Sequence, residues 1–262
     1  MRDFFMGESS PGMIDWTAMP TYNTIMSMAA GAGLVALVMF ARDLLRHRPA
    51  GVDGDDGAEQ ISTDGWALTF GSLGVILALT GLHMSLTWPL ASGGFAFDNI
   101  IFGETSLGFG VLMTALAMYL WRRGDQIRAA ESPVREVARA ARPLSIFIIG
   151  LGLALIAIMF AGIVYQFFAA PPQEPISGWV GQWPWLEAWA LSLVFGVIGA
   201  GAVLMPVAVR GFLSTPADRG SGVAVPPVAK VVAWIFSVTG LIFVLFGAFN
   251  FYSHIGLVVN TQ

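Results

Sequence analysis

Six stretches of this chain are each long and apolar enough to cross a lipid bilayer, and nothing else in the sequence constrains the fold as strongly. A helix needs about 20 largely apolar residues to span roughly 30 Å of hydrocarbon. The stretches cover about 21–41, 66–88, 100–121, 144–170, 186–209 and 231–254. Pro20, Pro143 and Pro184 stand where helices begin, and Pro89, Pro171 and Pro172 where helices have ended. Composition excludes the alternatives. Only 11% of the 262 residues are charged and 56% are hydrophobic, whereas a soluble domain carries about 25% charge. A soluble enzyme is thereby excluded. A net charge of −4 with a single lysine leaves no basic stripe for nucleic acid. Without cysteine there are no disulfides, thiolate metal sites or thiol nucleophiles. The expected class is an all-α integral membrane protein, one six-transmembrane-helix bundle forming a single domain.

Twelve of the thirteen basic residues follow the first, third and fifth stretches; Arg2 is the exception. The positive-inside rule assigns those connections to the cytoplasm and both termini to the outside. No cleavable signal peptide is visible in residues 1–18, which lack an uninterrupted apolar run. Residues 43–65 read as a flexible acidic cytoplasmic loop. Within them, Gly51–Gly57 resembles a calcium loop only loosely, because the turn glycine is misplaced and no bidentate glutamate closes it. The Arg122–Arg142 segment has two readings. It forms an interfacial helix with Ile127, Val134 and Val137 facing lipid, or its arginines simply set topology. Small residues such as Gly31, Gly33, Gly74, Gly196, Gly199 and Gly201 read as helix-packing positions. A faint two-helix repeat relates the second and third spans, with Glu104, to the fourth and fifth, with Glu187.

Ionisable groups within a membrane are costly and mark function by default. Those of this chain gather at one end: Tyr22 and Asn23 open the first span, His83 comes late in the second, and Asn99 and Glu104 open the third. Glu187 opens the fifth span and His254 closes the sixth. An interfacial belt with helix-dipole effects accounts for Glu187, His254 and the Trp-rich loop. It accounts less well for His83 and Glu104, which form the centre of a candidate ligand site with Tyr22, Asn23, Asn99 and His254 around them. Three chemistries stay open. His83 and His254 can ligate a haem b; His83 with Met84, Met26 and Met28 suits copper; His83 and Glu104 can accept protons from a quinol. No Ser/His/Asp grouping, HExxH motif, Walker loop or dinucleotide fingerprint is present, so no independent enzymatic activity is expected.

The strings Thr21-Tyr22-Asn23-Thr24, Gly81-Leu82-His83-Met84, Trp88-Pro89-Leu90 and Asp98-Asn99-Ile100-Ile101-Phe102-Gly103-Glu104 resemble a family of multi-spanning membrane proteins from actinobacteria and archaea. That family carries only a domain-of-unknown-function label. The resemblance implies a six-helix architecture and a bacterial or archaeal plasma membrane, and supplies no activity. The leading functional expectation is an accessory or cofactor-binding subunit, quinone included, of a respiratory or other redox complex. Its partners would be lipid and other membrane subunits, met through the outer Trp-rich loops. A small transporter or copper-handling protein is the alternative, and a cofactor-free scaffold is the third reading.

Overall fold

Each long apolar stretch becomes a helix in the computed structural model, which describes residues 22–47, 61–87, 96–214 and 224–262. In chain order the helices are α1 (Asn23–Arg46), α2 (Thr63–Leu86), α3 (Thr105–Ala129), α4 (Pro133–Ala141), α5 (Ser145–Tyr165), α6 (Ser177–Val180), α7 (Pro184–Ser214) and α8 (Pro227–Asn260). A π-helical turn, Asn99–Glu104, runs directly into α3, and a 3₁₀ turn, Arg142–Leu144, joins α4 to α5. Among the described residues six helical stretches are long and apolar enough to cross a membrane and every regular element is helical, which makes this a multi-pass α-helical membrane protein. The last of them continues to Asn260, a turn and a half beyond the expected 254. Helix α1 persists to Arg46 and α2 starts at Thr63, so both ends of the 43–65 stretch are helical. The acidic Gly51–Gly57 string lies outside the described residues.

Lipid offers no hydrophobic drive for helix association, so packing depends on close approach. Helices pack most extensively as three antiparallel pairs, α2 with α3, α5 with α7, and α1 with α8. Glycine sits at the crossings. A Cβ on Gly199 would lie 2.6 Å from the Gly152 carbonyl oxygen, and one on Gly240 would lie 2.8 Å from that of Gly31. Those distances leave no room for a side chain. Contacts of α1 with α2 and of α7 with α8 join the pairs into a ring running α3, α2, α1, α8, α7, α5. The ring closes poorly, because α3 and α5 touch only sparsely.

We call the end carrying Asn23, Asn99, Pro184 and Asn260 the upper end, and the arginine-rich end the lower. The lower end is solidly packed. Ile127 (0% exposed) and Val134 (6%) belong to the protein core, with Val137 packed against them. Of the two readings of this segment, the one with these side chains facing lipid is overturned: α4 packs against the bundle through them. Arg135 holds it there by donating to the Phe212 and Leu213 carbonyls at 3.2 and 3.1 Å. Those carbonyls end α7, where a helix has no acceptors' partners of its own and welcomes a cation. Buried His47 accepts from the Ile61 amide through Nδ1 (3.2 Å) and donates through Nε2 to the Arg128 carbonyl (3.0 Å).

Candidate functional site

The ring encloses a cavity of about 550 Å³, within the size range of small-molecule sites. Its walls are layered. The lower part is aliphatic, with Leu112 and Leu116 of α3, Leu144 of the 3₁₀ turn, Ile148 and Leu151 of α5, and Met205 of α7. Phe97, Phe102, Phe167, Phe168, Phe195 and Phe243 also line it. These rings pack on one another: Phe97 stacks on Phe167 at 4.2 Å between centroids, and Phe168 on Phe195 at 5.7 Å. At the upper end stand Asn23, Asp98, Glu174, Glu187, Asn250 and His254. Because α3 and α5 meet sparsely, the aliphatic part borders the seam between them.

The loop between α5 and α7 closes the upper end, and it is held by carboxylates. Glu187 accepts from the Ala170 amide at 2.7 Å. Glu174 accepts from the hydroxyls of Ser253 (2.6 Å) and Ser177 (2.9 Å), and its Oε1 lies 3.8 Å from His254 Nε2. Asn260 donates to the Gln173 carbonyl at 2.7 Å, fastening the same loop to α8. Gln166, Phe168 and Ile176 all adopt positive φ, at 54°, 73° and 66°. Such conformations cost non-glycine residues about 1–3 kcal/mol each and persist where surrounding contacts over-determine them. Here the Phe stacking and the carboxylate bonds supply those contacts.

Hydrogen-bond accounting at this end is incomplete. Asn23 Oδ1 and His254 Nδ1 are buried and have no partner, although buried polar atoms in folded proteins are nearly always paired. Burial also pushes the Asp98 carboxyl up from the ordinary aspartate range to about 7. Among the described residues, no arginine or lysine lines the cavity to neutralise these acids.

The residues singled out in the sequence fall into two groups. Asn23, His254 and Met84 line the cavity, as does Met26. Tyr22, His83, Asn99 and Glu104 do not. His83 is exposed and its Nδ1 accepts from the Tyr22 hydroxyl at 2.8 Å, with the two rings edge to face. Glu104 is exposed at the end of the π turn. Asn99 is buried and structural: it donates to the Met84 and Thr87 carbonyls, capping the end of α2. No group of three or more histidine, aspartate or glutamate side chains placed to hold a metal occurs among the described residues. Glu187, expected in the interfacial belt, faces the cavity because the loop folds over it. Asp98 and Glu174 were not anticipated; the only sequence signal is an acid beside each aromatic or Pro-rich connection.

Fold and cavity together define a polytopic membrane protein with an intramembrane chamber that is polar at one end. The chain belongs to the DUF981 family of proteins of unknown function, whose model matches residues 19–256. No functionally curated protein and no solved structure matches it.

Proposed function

We propose that this protein is a ligand-binding membrane subunit whose chamber holds one amphipathic, long-tailed molecule of the quinone or lipid kind. The head would rest against Asn23, Asp98, Glu187 and His254, and the tail would run down the aliphatic walls toward the α3–α5 seam. The observation that carries this reading is the coincidence of a large apolar cavity with two unpaired buried polar atoms in its lining, Asn23 Oδ1 and His254 Nδ1, both at its upper end. By the positive-inside rule the head lies on the outer side of a bacterial or archaeal plasma membrane. Service as an accessory subunit of a redox complex fits such a site, because lipid-soluble carriers exchange with the bilayer. Exposed Trp179, Trp183, Trp185 and Trp189 at the same end offer a surface for a neighbouring subunit.

The test is mass spectrometry of the organic extract from protein purified in mild detergent. One amphiphile should co-purify near one per chain with the wild type and with His83→Ala. It should be lost from Ala30→Phe, which fills the chamber from α1. Equal amounts in the wild type and the filled variant would contradict the proposal.

A further inference from the structure

The hydrogen-bond inventory around the chamber also restricts the head group, given that the chamber binds an amphiphile as proposed above. Three of the hydroxyl donors that line the chamber are committed within the protein. Ser27 donates to the Phe243 carbonyl (3.1 Å), Ser177 to Glu174 (2.9 Å), and Thr105 to the Ile101 carbonyl. The buried side-chain atoms of the chamber lining that have no partner are Asn23 Oδ1 and His254 Nδ1. Asn23 Oδ1 is an acceptor without a donor. With the His254 proton on Nε2, facing Glu174 at 3.8 Å, its unpartnered Nδ1 presents a lone pair. Glu187 takes its one amide bond through Oε2. The upper end therefore offers buried acceptors beside acids, and among the described residues no arginine or lysine lines it.

We infer that the chamber selects a head group that donates hydrogen bonds and carries no negative charge, attached to an apolar chain. A carboxylate or phosphate head would sit among the acids Asp98, Glu174 and Glu187 with no arginine or lysine to pair with, and a buried anion without a counter-charge is costly. A head lacking N–H or O–H would leave the acceptors unpaired, which costs affinity that a donor restores. Two chemical sources supply such a head, a hydroquinone and a primary ammonium.

The experiment measures binding of four probes of matched chain length to the full-length protein in lipid nanodiscs. They are an alkylhydroquinone, its dimethyl ether, a primary alkylammonium and an alkyl carboxylate. At least one of the two donor probes should bind about tenfold or more tightly than both the ether and the carboxylate, and the one that does identifies the source. Asn23→Leu should narrow that ratio, while Glu104→Gln, outside the chamber, should leave it unchanged. Should the ether or the carboxylate bind as tightly as both donors, the head-group assignment is overturned while chamber binding stands. Absence of saturable binding for every probe, together with an empty organic extract, would overturn both.

Discussion

The two ends of this bundle treat buried polar groups in opposite ways. At the lower end polarity is spent on structure. His47 uses both ring nitrogens, Trp66 Nε1 donates to Asp43 at 3.0 Å, Arg128 donates to Thr63, and Arg135 caps α7. One buried hydroxyl there, Ser132 Oγ at the start of α4, has no partner. At the upper end, carboxylates fasten a strained loop, yet two buried polar atoms beside a cavity of about 550 Å³ stay unmatched. The difference teaches that unsatisfied polarity next to a void, and not polarity as such, distinguishes a binding site from a brace.

That contrast can be attacked from either end. The largest effect should come from Glu174→Ala, which removes the acceptor of Ser253 and Ser177 and releases the roof of the chamber. Bonds to a charged acceptor are worth about 1.5–3 kcal/mol each, so a loss of about 3 kcal/mol in unfolding free energy is expected, together with loss of bound amphiphile. His47→Ala should cost about 2 kcal/mol, because the Ile61 amide and Arg128 carbonyl lose their partner. Amphiphile content should not change. Denaturant titration in detergent micelles, followed by extraction, checks both. If His47→Ala emptied the chamber as well, the two ends would not be separable.

A third experiment uses the absence of native cysteine. Gly108 faces Leu151 across the seam, where a Cβ would come within 3.4 Å of the leucine side chain. Gly108→Cys with Leu151→Cys should therefore cross-link α3 to α5. Exchange of a labelled amphiphile should slow about tenfold, equivalent to about 1.4 kcal/mol of barrier, and recover on reduction. Unchanged exchange would place the route to the chamber elsewhere. The smallest effect concerns pH. Because Asp98 titrates near 7 in the fold, the folded state holds a proton that the unfolded chain has released above the ordinary aspartate range. Its contribution makes stability fall as pH rises from about 4 to about 7 and level off above. Asp98→Asn should flatten that slope; an identical pH profile of thermal midpoints would remove Asp98 from the desolvated end.

Much of the architecture was legible in the chain. Apolar runs of about 20 residues dictate helices, and the small residues at Gly31, Gly74, Gly196 and Gly199 mark where helices cross, as the structure bears out. The site was legible only in its neighbourhood. Hydropathy places His83, Glu104, Asn23 and His254 at one end but carries no rotation about the helix axis. His83 and Glu104 turn outward, whereas Asn23 and His254 turn inward. A π turn shifts the register at Asn99–Glu104, so spacing along an ordinary helix could not have assigned Glu104 a face. Glu174 and Asp98 become part of the chamber only once the loops fold over it. That is a tertiary event with no local pattern beyond an acid beside aromatic or proline residues. The Ile127 and Val134 side chains show the same limit: an amphipathic face reads alike whether protein or lipid covers it.

The most direct test is electron cryo-microscopy of the full-length protein in lipid nanodiscs. Continuous, elongated density is expected inside the ring. One end should contact Asn23, Glu187 and His254, and the other should reach the aliphatic walls between α3 and α5. A chamber collapsed by inward movement of α5, or one filled only by discrete waters, would contradict the proposed binding of an amphiphile.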